Sequence, residues 1–404
     1  MDDKTVNLPV MQEQDAENSD KPPDPRPRPA RPWRVAVIAN LKGASTIPID
    51  APADAGAEFD KPETIQAIQK AIESDGHSTI FLPADVNLSQ ALHDICPDIC
   101  FNIAEGLSGD AREAQVPALL EMLHIPYTAS RVLANALALD KTMTKRIWRE
   151  AGLPTASFQE FSSSAEPLAD YMTFPMFVKP AREGTGMGMD RRSIVHNEVE
   201  LRQRVAWVIE NYCQPALVEE YLPGREFTVG VLGRRDAAHF SRMPECYEAD
   251  GFQRLPLLEV ESSRSVTPGV YGIAAKSLHY GEEGIPDFIC PAQVDPELAE
   301  QLYMLAIRAH QAIGAVDVSR VDIRLDASGQ PRLLEINSLP GLSPGFSDLC
   351  VIANAAGISY TDLILEILYL GASRFGLLVA PEYLEPIRLE TLQPSHRLRE
   401  TSMS

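Results

Sequence analysis

Residues 318–337 read VSRVDIRLDASGQPRLLEIN, and their alternation constrains the fold more than any other stretch. Side chains two apart share a face of a β-strand, so Arg320, Asp322 and Arg324 face one side while Val321, Ile323 and Leu325 face the other. In the second half Glu335 and Asn337 share a face, and Leu334 and Ile336 are expected to point away from it. Folding the segment at Ser328–Gly329 sets Asp322 opposite Glu335 and Arg320 opposite Asn337. Two facing carboxylates repel, and partial burial raises the pKa of one of them. A hard divalent cation removes that penalty. Oxygen donors too few to close a cage suit Mg²⁺ or Mn²⁺, which keeps waters and takes phosphate oxygens as further ligands. The plainer alternative is a solvated face with cross-strand ion pairs to Arg320 and Arg324.

A chain of 404 residues is long enough for two or three domains, and 45% hydrophobic with 23% charged residues is an ordinary globular composition. Lys plus Arg number 36 against 57 Asp plus Glu, a net charge of −21, which disfavours nucleic acid or an anionic membrane as a partner. Any anion must then be bound by a few local lysines and glycines. The six cysteines show no metal-ligand register and read as buried free thiols in a reducing cytosol. Residues 1–31 are acidic and proline-rich, with no apolar run, and are expected to be a disordered tail without signal peptide or anchor. A cytoplasmic protein is expected.

Strand patterns at 33–40, 78–84 and 98–106 alternate with helical patterns at 63–74 and 112–124. That order predicts a parallel α/β sheet over 32–139, closed by a helix at 131–139. A second unit, 140–222, has a strand at 174–180, a glycine-rich loop at 182–189 and a returning strand at 193–195. Asn197 with Glu200 three later marks the start of a helix over 198–211. Residues 216–233 read as strand, turn and strand. They lead into a third unit, 223–380, with helices near 296–313 and 360–371 around the hairpin and a polar tail over 381–404.

The loop in VKPAREGTGMGM follows a strand that ends in Lys179. Backbone N–H groups of Glu183, Gly184, Gly186 and Gly188 can cradle phosphates there while Lys179 neutralises them. No Gly-Lys-Ser/Thr occurs, and the glycines lead into a strand, so neither a P-loop nor a dinucleotide fingerprint is present. A glycine loop between antiparallel strands is a lid, or else a plain turn. Lys141 opens a helix, Glu219, Glu220 and Glu226 flank YLPG, and Lys276 lies in a loop without a clear pattern. No histidine pairs with a serine or cysteine in a nucleophile motif, so acyl-enzyme chemistry has no support.

In order and spacing, FNIAEG…REAQVPALLEMLHIPYTAS, LALDKTMTK, FVKPAREGTGMGM, VEEYLPGREFTVGVLG, SRVDIRLD and LLEINSLPG resemble the ATP-grasp superfamily, most closely its D-alanine–D-alanine ligases, over roughly 98–370. The resemblance implies a three-domain ATP-grasp architecture, with two α+β domains clasping ATP beside the amino-terminal α/β domain. It implies a ligase that phosphorylates a carboxylate and lets an amine attack the acylphosphate, forming a dipeptide for peptidoglycan biosynthesis. On this resemblance Lys141, Lys179 and Lys276 reach the ATP phosphates. Glu219 is the adenine-side acid, Leu222 the backbone contact and Glu226 the ribose acid. Asp322, Glu335 and Asn337 hold two Mg²⁺ or Mn²⁺ ions, and Arg320 with the Gly341 amide stabilises the oxyanion. The family's first loop carries an acid that binds the amine of the first substrate. Here Glu58 or Glu63 stands in that stretch, its partners map to Thr185 and Ser277, and Ser343 or Ser347 reads the second carboxylate. These departures leave room for another amino acid or small carboxylate, such as a substrate of an L-amino-acid or peptide ligase of secondary metabolism. From a different class, a nucleotide-binding regulatory protein that has lost its chemistry is the alternative, against which Arg320, Asp322, Glu335 and Asn337 all stand intact. Dimers are common in the family, so a homodimer is the expected assembly.

Overall fold

The structure, a computed structural model, describes residues 28–43, 47, 51–261, 270 and 286–379; Lys276, Ser277 and the tail from 381 lie outside the described residues. Strand β1 (Arg28–Pro29) pairs antiparallel with Leu378–Val379 near the carboxyl end, so the ordered fold takes in residues 28–31 that composition assigned to the tail. A proline is tolerated there because this two-stranded ribbon leaves its other edge unpaired. Arg31 adds an ion pair to Asp98 at 2.5 Å.

Val35 to Ala39 of β2 (Arg34–Ala39) have no exposed surface, which is what a strand covered on both faces requires. After helix α1 (Pro62–Glu73) come β3 (Ser78–Pro83), α2 (Leu88–Ile95) and β4 (Ile99–Asn102), and the three strands form a parallel sheet in the order β3-β2-β4. Helices α3 (Gln115–Met122) and α4 (Val132–Leu139) close this domain.

Helix α5 (Lys141–Glu150) starts on Asp140, whose carboxylate accepts the Met143 N–H at 2.9 Å. Strands β5 (Phe158–Phe161), β6 (Met176–Pro180) and β7 (Ile194–Val195), helix α6 (Glu198–Tyr212) and strand β8 (Ala216–Glu220) follow. Their antiparallel sheet runs β5-β8-β6-β7, so the glycine loop does join two antiparallel neighbours, and Asn197 caps α6 as its spacing predicts. The last sheet has β9 (Glu226–Leu232), β10 (Leu258–Glu261), β11 (Asp287–Ile289) and, after α7 (Pro296–Ala312), the hairpin β12 (Val318–Leu325) and β13 (Pro331–Asn337). Its order is β11-β10-β9-β12-β13, with α7 packed on β9, β12 and β13 and α8 (Asp348–Ala355) on β9; α9 (Tyr360–Arg374) packs against α1 and leads to β14 (Leu378–Val379).

Strands β8 and β9 belong to different sheets, so residues 221–225 cross from one antiparallel sheet to the other. One feature differs from the reading of the sequence. In the hairpin itself Asp322 faces Glu335 and Arg320 faces Asn337, as the alternation requires, but a bulge follows Asp322. The extra residue is Leu334. Leu333 takes the fully buried core position instead, and Leu334, expected to point away, lines the cleft on the polar face.

The crossing is pinned by Gly224, whose N–H donates to the Leu325 carbonyl at 3.0 Å; a Cβ added there would lie 2.6 Å from that oxygen. Gly224→Ala is therefore expected to lower unfolding stability by about 1–3 kcal/mol in chemical denaturation, since backbone on both sides must shift. An unchanged midpoint would contradict the close approach.

Candidate active site

The polar face of the hairpin is a cluster of opposed charges. Asp322 accepts hydrogen bonds from the Thr228 hydroxyl at 2.9 Å, from Arg320 Nε at 3.2 Å and Nη2 at 3.1 Å, and from Asn337 Nδ2 at 3.4 Å. Arg320 also reaches Asp348 at 3.4 Å, and Lys141 lies 3.7 Å from Glu335. Burial works against the Arg320 charge, yet Asp322 and Asp348 outweigh it and raise its pKa. Among the described residues no three His, Cys, Asp or Glu side chains converge as a metal site. Two carboxylates and an amide nevertheless form an oxygen-rich donor set on adjacent, paired strands, and that set fits a hard cation sharing its sphere with phosphate oxygens.

Beyond Glu335 a cleft opens between the two antiparallel sheets, lined by Phe177, Lys179, Tyr221, Leu222, Glu226 and Leu334 among others. Glu226 pairs with Arg324 at 3.3 Å. Glu219, expected as the adenine-side acid, borders the same cleft, but its carboxylate is paired with Lys145 at 2.6 Å and Lys179 at 2.7 Å. Burial pushes the Glu219 carboxyl up, and the two lysines more than offset this and hold it below the ordinary range. Burial lowers the Lys145 pKa, which Glu219 only partly restores, whereas for Lys179 the surrounding carboxylates prevail and its pKa rises. Lys145 was not singled out in the sequence. Its signal is the spacing: Lys141 and Lys145 are four apart on α5 and so share a face.

The glycine loop lies against the amino-terminal domain. Lys141 Nζ donates to the Glu183 carbonyl. Arg112 binds Glu58 at 2.8 Å, Glu183 at 3.1 Å and the Arg182 carbonyl at 2.9 Å, tying both loops together. The Gly188 N–H and the Tyr212 hydroxyl both donate to Asp54, at 3.0 and 2.7 Å. Gly184 passes so close to Glu58 that a Cβ would lie 2.0 Å from its Oε1, while Gly186 and Gly188 have positive φ. Under this lid lies a cleft of about 910 Å³ that brings Glu58, Thr185, Arg320, Asn337, Gly341 and Ser347 together. Ser347 Oγ accepts the Ser343 N–H at 2.9 Å and sits beside Gly341. Glu63 stays on the exposed rim.

The family model for the D-ala D-ala ligase C-terminus matches residues 147–369. The chain belongs to the D-alanine–D-alanine ligase family. Relatives of this family include a D-alanine–D-alanine ligase of Desulforudis audaxviator, 32% identical over 317 residues that make up 76% of this chain and 92% of that protein. The D-alanine–D-alanine ligase of Bordetella avium is 33% identical over 259 residues, 63% of this chain and 73% of the other. An uncharacterized protein, y4sG of Sinorhizobium fredii, is 32% identical over 359 residues, 87% of this chain and 92% of its own. The fold matches that of the D-alanine–D-alanine ligase from Bacillus anthracis solved with ATP, with a TM-score of 0.61 at 22% identity, covering 85% of this chain and 98% of that one. The three-domain ATP-grasp architecture is thus that of the D-alanine–D-alanine ligase family.

Glu219 separates two buried ammonium groups, and removing its charge leaves them facing each other without an anion. Glu219→Gln is expected to cost about 3–5 kcal/mol in unfolding stability, measured by denaturant titration of the nucleotide-free protein. A loss within experimental scatter would contradict the central place of this ion pair.

Proposed function

We propose that this chain, an ATP-dependent ligase of the D-alanine–D-alanine ligase family, joins a carboxylate to an amine through an acylphosphate and releases a dipeptide of the D-alanyl-D-alanine kind. The observation that carries the reading is one continuous cleft lined by Arg320, Glu335 and Asn337 together with Gly341 and Ser347, with Lys141 and the glycine lid at its side. A carboxylate oxygen attacks the γ-phosphorus, and the bond to the β-phosphate oxygen breaks, releasing ADP. The amine nitrogen then attacks the acyl carbon; the C–N bond forms, the bond to the phosphate oxygen breaks, and the amine loses a proton. Phosphoryl transfer needs positioning and charge neutralisation rather than a protein nucleophile, and the cleft is built from such groups.

Lys141 and Lys179 neutralise the phosphates, with Lys179 exchanging part of its pairing to Glu219 for the nucleotide. Glu183, Gly184, Gly186 and Gly188 cover them, Leu222 offers backbone to the adenine, and Glu226 takes the ribose. Asp322, Glu335 and Asn337 would hold Mg²⁺ or Mn²⁺, which supplies Lewis-acid screening of the transferring phosphoryl group. Arg320 and the Gly341 N–H receive the charge that develops on the acyl oxygen, with Thr185 and Ser347 positioning substrate. Glu58 fits the place of the amine-side acid better than Glu63 does, because it faces the cleft under the lid on a salt bridge to Arg112. A cytoplasmic enzyme and a homodimer complete the proposal.

Purified protein with ATP, Mg²⁺ and D-alanine is expected to release phosphate, with the dipeptide detected by mass spectrometry. Phosphate release with other amino acids but not D-alanine would exclude the named product and keep the ligase; no release with any carboxylate and amine would overturn the ligase. Asn337→Ala is expected to abolish turnover while circular dichroism stays native, and near-normal activity would refute its place in the metal shell.

A further inference from the structure

The large cleft has two chemically different walls. The hairpin side presents Arg320, Asn337, Gly341 and Ser347, where the reading above places the reacting carboxyl group. The amino-terminal side presents five carboxylates: Glu58, Asp60, Glu63, Glu105 and Glu113. Glu58 is answered by Arg112, and Glu63 stands on the exposed rim. Asp60, Glu105 and Glu113 remain, and among the described residues their side chains have neither an ion pair nor a hydrogen bond. Glu113 is only 9% exposed.

A carboxylate taken out of water without a partner is costly; Glu113 is buried, Asp60 and Glu105 are half-buried, and the pKa of each is raised. Burial, then Glu58, pushes Glu113 up to about 8 against the opposing pull of Arg112 and Lys141. Burial alone pushes Asp60 to about 7, and burial with Glu58 and Glu113 takes Glu105 well above the carboxylate range. The neighbouring cations are engaged elsewhere: Arg112 with Glu58 and Glu183, and Lys141 with Glu335 and the Glu183 carbonyl. Lys42 and Lys61 sit exposed on the rim. The carboxylates do not converge as a metal site, since among the described residues no such group of three exists. They line one side of the cleft, close enough that Glu58, Glu113 and Asp60 all act on Glu105, an arrangement that suits a guest with more than one positive charge.

We propose that the substrate whose carboxylate is activated is a dibasic amino acid, its α-amine at Glu58 and its second cationic nitrogen seated on Asp60, Glu105 and Glu113 while its carboxylate lies at Arg320 and Gly341. This rests on the ligase reading and names its substrate class. D-Alanine, with one ammonium group, satisfies only part of the wall and is a poorer substrate.

Calorimetric titration of the full chain, loaded with a non-hydrolysable ATP analogue and Mg²⁺, separates the two ideas. Lysine and ornithine, in both enantiomers, are compared with norleucine, which has a similar chain and one nitrogen fewer. At least one dibasic ligand is expected to bind about tenfold tighter or better than norleucine, the size of a charge-assisted hydrogen bond, with proton release seen as a binding heat that varies with the ionisation enthalpy of the buffer. Glu113→Gln and Glu105→Gln should each erase most of that preference while melting curves stay cooperative; should Glu113→Gln not fold, the less buried Glu105→Gln gives the answer. Equal binding of norleucine, or a preference that survives substitution, overturns the inference. Dipeptide formation from neutral amino acids without a dibasic preference overturns it and keeps the ligase. A binding preference without phosphate release from any substrate does the reverse.

Discussion

Asp322 and Glu335 stand directly across from each other on one hairpin, and much of the molecule is arranged to make that tolerable. Arg320 reaches over from the neighbouring pair, Thr228 donates from the next strand, and Lys141 arrives from a helix of another domain. Each contact relieves charge and at the same time fixes an element beside the cleft. The register of one hairpin therefore determines where α5 and the crossing at 221–225 must lie.

The same device recurs away from the hairpin. Lys145 and Lys179 come from a helix and a strand and meet on Glu219, which locks α5 onto the middle sheet. Arg112 meets Glu58 and Glu183, which locks the lid onto the amino-terminal loop. A buried pair contributes little net stability after desolvation, but a broken one is expensive. Such pairs specify one mutual arrangement of the domains. They also place cations where an anionic nucleotide can compete for them, which links packing to function.

The hairpin was legible because strict alternation and a turn at Ser328–Gly329 leave one register; Gly329 indeed has a φ of +82°. The bulge was not, because Leu333 and Leu334 are the same residue type and nothing local says which one faces the core. The glycine lid and the cap at Asn197 were legible from local chemistry alone. The partners of Glu219 were not, since pairing across some 40 to 75 residues leaves no local mark, although the four-residue spacing of Lys141 and Lys145 hinted at a shared face. Asp60, Glu105 and Glu113 passed as ordinary acids because their isolation is a property of the assembled cleft. The boundary at residue 31 failed for a similar reason: a proline-rich segment became ordered through a strand more than 300 residues away.

Transfer of phosphate to a carboxylate in this cleft, as proposed, leaves a trace in the route of one oxygen atom. A substrate labelled with heavy oxygen in its carboxylate, turned over with unlabelled ATP in unlabelled water, should give phosphate carrying one labelled oxygen. That oxygen crosses only if a carboxylate–phosphate bond forms and then breaks on the carbon side. Unlabelled phosphate released alongside product would show that the carboxylate is never phosphorylated and would contradict the account.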